Sequence, residues 1–299
     1  MENARKGPVE AESKQSGIWE QSGGVSKSPP QFMLASSPIQ KQEAGGPLAA
    51  DKAPTSAGGF TIGAPTRPSI THDNGFLDAF DEVTGIGDER YKERAPTLSD
   101  YASRIYWLTK LEGARLLRPD LHDATDAYDH FLNGFGSDRT FNYDSYAEDD
   151  SSGASTIHDA ILHTVKQAEV LCPVGGTVNI TSRAFTTGSS GPFSMPYPAT
   201  ENWQKAIGGH TIWLSATVTS VRFGDQLGYT TTFTLHAEDR YNFNPGQEDI
   251  ATGTPDADNG IFEITKLAEQ YTQYATASRN VTWHKGATAS PVITLTGGR

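Results

Sequence analysis

The chain has 299 residues, a formal net charge of −12 and one cysteine, Cys172. That length suits one or two folded domains. The acidic balance excludes nucleic acid as a principal partner, because phosphate binding needs a basic face. A lone thiol excludes an internal disulfide. No apolar run approaches the roughly 20 residues of a bilayer span, so no stable membrane insertion is expected. Met1, Glu2, Asn3, Ala4, Arg5 and Lys6 lead into no apolar h-region, so no ordinary signal peptide is expected.

Residues 1 to about 70 hold 8 of the 17 prolines, with 9 glycines and 9 serines, and carry net +1 against −13 for the remainder. Such a segment buries too little apolar surface to offset its ordering entropy, and a disordered tail over 1–70 is predicted. One apolar island interrupts it at residues 29–40, where Phe32, Leu34 and Ile39 suit an extended peptide docked on a partner. A plain linker is the competing reading.

Residues 71–175 read as a helical subdomain. Thr97 or Ser99 caps a first helix that carries Tyr101, Ile105, Leu108, Leu111 and Leu116 at three- to five-residue spacing, and Pro119 ends it. Asp120 caps a second helix bearing Leu121, Ala124, Ala127, Tyr128, Phe131 and Leu132, with Gly134 at its C-terminal cap. An acidic loop is expected over 136–153. A third helix is expected over 156–171, with Ile157, Ala160, Ile161, Val165 and Ala168 inside.

Residues 176–299 read as a β-rich α+β subdomain. Strands are expected over 176–182, 211–221 and 229–236, where apolar residues alternate, with turns at Gly208-Gly209 and 224–228. Helical spacing returns over 263–276, followed by short strands at 281–283 and 292–295. The fold class is therefore α+β, a helical part followed by a β-rich part.

Few residues offer chemistry. The chain has no Walker loop, no nucleophile elbow, no His-Glu-x-x-His helix and no paired-cysteine metal site. Cys172 reads as a buried spacer, since no base adjoins it. His158 and His163 fall roughly 140° apart on a helix, and His122 and His130 lie two turns apart, so neither pair suits one ion. The run 256–260 resembles half of a calcium loop with its glycine one place early, and a β-turn is the favoured reading.

The densest cluster is His236-Ala237-Glu238-Asp239-Arg240-Tyr241-Asn242-Phe243-Asn244-Pro245-Gly246, at the end of a strand-like run. Two residues apart on a strand, Asp239 and Tyr241 point the same way. Asp239 suits a base or a cation ligand, and Tyr241 suits a hydrogen-bond donor to a developing oxyanion. Arg240 points to the other face, towards Glu238. Asp249 and Asp256 follow closely, so Asp239, Asp249 and Asp256 form the expected carboxylate set for a magnesium or calcium ion. A surface turn closed by Asn-Pro-Gly is the competing reading.

Two resemblances rest on these residues. The segment 29–42, Pro-Pro-Gln-Phe-Met-Leu-Ala-Ser-Ser-Pro-Ile-Gln-Lys-Gln, resembles the N-terminal segment of proteins associated with extracellular contractile injection systems. This resemblance implies a cargo effector that meets the inner tube or loading apparatus through residues 29–42. It further implies residence in the bacterial cytoplasm, then the particle lumen, then the target cell. The run from Asp239 through Tyr241 to Pro245 is similar to the Asp-x-Tyr-Asp signature of colicin M-like toxins. That likeness implies a magnesium-requiring hydrolase of the lipid-linked envelope precursor, with Asp239 and Tyr241 as its matched residues. The second acid of the signature falls on Asn242, and Glu248 and Asp249 stand where its His-Arg pair belongs. A non-enzymatic structural, adaptor or binding component of the same machine is the alternative.

Overall fold

The structure, a computed structural model, describes residues 55–189, 194–249 and 251–296. The tail through residue 54, with its 29–42 segment, lies outside the described residues.

The tail boundary expected near residue 70 falls inside folded chain. Strands β1 (Ser56–Ala57) and β2 (Phe60–Ile62) join the main sheet, and Phe60 is fully buried. Averaging over 70 residues hides this short apolar stretch, whose one large ring is enough to anchor it. A small hairpin of β3 (Phe80–Asp81) and β4 (Ile86–Gly87) follows.

Helix α1 (Leu98–Leu117) starts at Thr97 with a reciprocal capping box to Asp100. Its expected apolar residues are buried only in part, Leu108 lying partly buried against the same cluster as Leu111. Tyr101, Ile105 and Leu116 are exposed, and Leu111 is the residue sealed against Phe131 and Leu132. Helix α2 (His122–Asn133) follows a 3-10 turn at Pro119–Leu121. Asp120 does not cap it, being held by Arg118 at 2.7 Å. Gly134 keeps a right-handed φ of −86°, and Phe135 takes the left-handed conformation instead.

The loop expected over 136–153 is largely structured. It forms β5 (Arg139–Thr140), α3 (Tyr143–Asp149) and the start of α4 (Ser151–Leu171). Side-chain caps rewrite the acidic run. Asn142 accepts from the backbone N–H groups of Asp144 and Ser145, and Asp150 accepts from that of Ser152. Tyr143 and Tyr146 are fully buried, an apolar payload that offsets the surrounding acids.

The β-rich part contains β6 (Thr177–Ser182), β7 (Phe185–Thr186), α5 (Glu201–Ala206), β8 (Thr211–Phe223), β9 (Gln226–Tyr241), α6 (Ala257–Ile264), β10 (Tyr271–His284) and β11 (Val292–Leu295). The main sheet runs β1-β2-β6-β8-β9-β10-β11 with antiparallel neighbours, β7 also pairing with β8. Strand β5 lies parallel to β10 on its far edge. Gly224, with φ 64°, makes the tight turn between β8 and β9.

The helix expected over 263–276 is absent: α6 ends at Ile264, Lys266 turns left-handed, and β10 begins at Tyr271. Tyr271, Gln273, Ala275 and Ala277 alternate inward, a period of two that the residues before Lys266 mask. The half calcium loop at 256–260 opens α6 rather than forming a β-turn.

One face of the sheet packs Leu214, Ala216, Val218, Phe233, Leu235 and Ala237 against α4 residues such as Ile161 and Val165. Helical and β-rich segments thus share one core. The opposite face carries rows of hydroxyls and amides. Thr177, Thr219, Thr230 and Thr282 lie in register, as do Asn179, Thr217, Thr232 and Asn280.

Candidate active site on the Asp239 row

Strand β9 continues through Tyr241, so Asp239 and Tyr241 are ladder residues rather than loop residues. Both lie on the core-facing side, as their spacing predicts. Asp239 pairs with Gln273 on β10, and Gln273 pairs with Arg139 on β5. A carboxyl, an amide and a guanidinium therefore form one row across three strands, with about 5 Å between neighbours.

Gln273 is fully buried. Its Nε2 donates to Asp239 Oδ2 at 2.9 Å and to the Ala206 carbonyl at 2.6 Å, which ties the row to α5. Its Oε1 is buried without a hydrogen-bond partner. Asp239 keeps part of its surface open, yet burial pushes its pKa up to about 7. The Gln273 hydrogen bond favours the carboxylate and Asp73 opposes it, so burial dominates.

One step along the same face, Tyr241 stacks on Tyr271 with ring centroids 5.2 Å apart. Tyr271 donates to the Ala127 carbonyl at 2.9 Å. Burial raises the Tyr241 pKa well above that of a free phenol, so its hydroxyl stays protonated and able to donate. Arg139 lies close enough for its charge to favour both phenolates. Tyr197 also feels the Asp239 charge, after the larger effect of its own burial.

The expected metal set is not assembled. Asp249 holds Lys205 at 2.8 Å and accepts from Thr252, Asp256 accepts from the Asn244 N–H at 3.0 Å, and Asp239 is engaged by Gln273. Among the described residues, the group whose ligand atoms lie within 4.8 Å of one another is His122, Asp123 and Asp149. It lies at the surface, and Asp123 there already receives the Asn202 amide at 2.8 Å.

Arg240 does not pair with Glu238 either. Glu238, buried, is held by Arg67 through Nε at 2.7 Å and Nη2 at 2.5 Å, and by His72 at 2.5 Å. Arg240 Nε is buried and unpartnered, as is Oε2 of Glu263. Burial lifts the Glu263 pKa to about 8. Cys172 is a buried spacer whose thiol contacts the Gly176 and Val218 carbonyls.

Sequence reasoning placed Asp239 and Tyr241 on one face but missed Gln273 and Arg139. Gln273 stood inside an expected helix and Arg139 inside an expected loop. The alternation Tyr271, Gln273, Ala275, Ala277 was the available signal for the former.

The fold shows weak likeness to two solved structures. One is the truncated bacteriocin syringacin M from Pseudomonas syringae pv. tomato DC3000, at 18% identity and TM-score 0.32, covering 55% of this chain and 60% of that one. The other is PaeM, a colicin M-like bacteriocin produced by Pseudomonas aeruginosa, at 13% identity and TM-score 0.31, covering 58% of this chain and 52% of that one. The match thus spans a little over half the length of each. No protein-family model and no curated protein matches the chain.

Proposed function

We propose that this chain is a toxin-class effector whose Asp239 row hydrolyses a phosphate-bearing envelope precursor, delivered as cargo of a contractile injection system. The observation that carries the hydrolytic part is the setting of Asp239. Its half-buried carboxyl is oriented by the Gln273 amide, and burial sets its pKa at about 7. A group titrating there serves proton transfer at neutral pH, taking a proton from an attacking water or returning one to a leaving oxygen. Tyr241, held by its stack on Tyr271, is the donor for a non-bridging oxygen as charge builds there.

A magnesium or calcium ion enters this reading together with substrate. Magnesium is commonly bound by one or two carboxylates completed by substrate phosphates. Asp239 is the carboxylate available for that on the row, and in that role it would hold the ion in place of serving as the proton-transfer group. The delivery part rests on residues 29–42 as a packaging segment read by the inner tube or loading apparatus.

Two measurements test the whole. Asp239→Asn removes killing when the protein is placed in a target periplasm, with precursor hydrolysis lost in parallel. Undiminished killing by that variant excludes the site. Deleting residues 1–45 abolishes loading while the folded part keeps its circular dichroism spectrum, and normal loading excludes the packaging role.

A second reading, a non-enzymatic binding or adaptor component, draws on the outward sheet face. Its side chains bond across strands, Thr217 to Asn179 at 2.8 Å and Thr234 to Ser278 at 3.0 Å, and form a flat polar surface. Absence of toxicity in both cytoplasm and periplasm favours it.

A further inference from the structure

Arg139, like Arg104, Arg183, Arg222 and Arg240, holds no carboxylate among the described residues. Arg67, Arg90, Arg94, Arg115, Arg118 and Arg279 each hold a carboxylate. Arg139 is half-buried and has no carboxylate within ion-pair distance among the described residues. Its guanidinium donates towards the Tyr271 hydroxyl, and with no carboxylate answering its charge it is available to an anionic ligand.

Its position supports that role. Arg139 lines an open cavity of about 280 Å³ with Asp126, Asp129, His130 and Asn133 at the end of α2, where Asp126 faces Arg115 at 3.5 Å. The Asp129 carboxylate there is already held by Arg115 at 2.9 Å and by the Asn133 amide at 2.7 Å, so its charge is largely answered. The His130 ring meets Tyr271 edge-on at 4.4 Å, which joins the cavity wall to the Tyr241–Tyr271 stack. Beside Arg139 in the row, Gln273 Oε1 is sealed and unpartnered, an acceptor awaiting a donor.

We propose that Arg139 is the anion anchor of the Asp239 row, its guanidinium gripping a phosphoryl group of the substrate in the cavity at the end of α2. This rests on the hydrolytic reading above and deepens it by naming the residue that holds the substrate's phosphoryl group. The planar guanidinium presents paired N–H donors that match two oxygens of a phosphoryl group, which a lysine ammonium does not.

The test is binding of inorganic pyrophosphate to the full chain by calorimetry, for wild type, Arg139→Gln, Arg139→Lys and Asp239→Asn. The expected result is binding by wild type, a loss of roughly tenfold or more in Arg139→Gln, partial retention in Arg139→Lys, and unchanged or tighter binding in Asp239→Asn. Equal binding by wild type and Arg139→Gln overturns the proposal, as does no binding by wild type at millimolar pyrophosphate. The two readings fail separately. If Asp239→Asn stays toxic while Arg139→Gln loses pyrophosphate, the hydrolytic centre is wrong and the anchor stands. If Asp239→Asn is inert and Arg139→Gln binds as wild type does, the anchor is wrong and the centre stands. Arg139→Lys guards against misfolding, because it keeps the charge and the strand pairing.

Discussion

Gln273 donates one hydrogen bond to Asp239 Oδ2 at 2.9 Å and another to the Ala206 carbonyl at 2.6 Å, so a single buried amide fixes the carboxyl against α5. The bond to Asp239 favours the charged carboxylate, while burial favours the neutral acid and wins. Gln273→Leu removes the donor and keeps the volume. The Asp239 pKa should then rise further above about 7, read by a carboxyl carbon NMR titration. A pKa unchanged or lower than in wild type would show that the amide does not tune the site. Stability should fall only modestly, by about 1 kcal/mol, because the substitution also removes the orphaned Oε1.

Asp239 should weaken the fold at neutral pH. Its folded pKa is about 7, against roughly 3.9 in an unfolded chain. Between those values the folded state holds a proton that the unfolded state has released. Its contribution is therefore full below about pH 4 and is lost as pH rises through 7. Asp239→Asn, fixed neutral, should match wild type at pH 4 and exceed it at pH 8 by on the order of 2 kcal/mol, while losing activity. Urea melts at the two pH values decide this, and a variant less stable than wild type at pH 8 refutes it. Glu263→Gln should act with the same sign, since burial lifts Glu263 to about 8.

Glu238 works in the opposite direction. Burial raises its pKa, but the hydrogen bonds from Arg67 and His72 outweigh that and hold it below the usual carboxylate range. Its contribution is present above an ordinary glutamate pKa and disappears as pH falls through the depressed value. Arg67 is 47% exposed, so solvent screens the pair. Glu238→Gln should then cost about 1–2 kcal/mol at pH 7 rather than the larger loss seen when a fully buried pair is broken. It should also release the chain around Arg67 and His72 from the sheet. Limited proteolysis is the readout, with new cleavage between residues 64 and 95 expected; an unchanged digest would mean other contacts hold this segment.

The α+β class, the helix beginning at Thr97 and the strands around 177–182 and 211–223 were legible because capping residues and period-two alternation are local signals. Asp239 and Tyr241 sharing a face was legible for the same reason. Other features depended on contacts distant in sequence. Phe60 is anchored by a sheet more than a hundred residues away. Asp150 reads as one more loop acid until its Oδ2 is seen to accept from the Ala199 and Thr200 backbone and the Thr200 hydroxyl. The row Asp239–Gln273–Arg139 joins three segments whose register no local pattern specifies. The acids Asp249 and Asp256 sit near Asp239 in sequence, but each is satisfied by its own neighbours.

That dispersal of carboxylates leads to a prediction about metal dependence. With Asp249 committed to Lys205 and Asp256 to the Asn244 N–H, Asp239 alone on the row is available to a divalent ion. A single carboxylate holds magnesium weakly until a phosphate supplies further oxygens. Removing divalent ions with a chelator should therefore leave the melting temperature of the free protein within about 1 °C, because an ion that scarcely binds the native state adds little by linkage. The same treatment should abolish hydrolysis, with magnesium or calcium restoring it. A melting temperature that falls by several degrees on chelation would instead reveal a preformed site, for which His122, Asp123 and Asp149 would be the residues to substitute first.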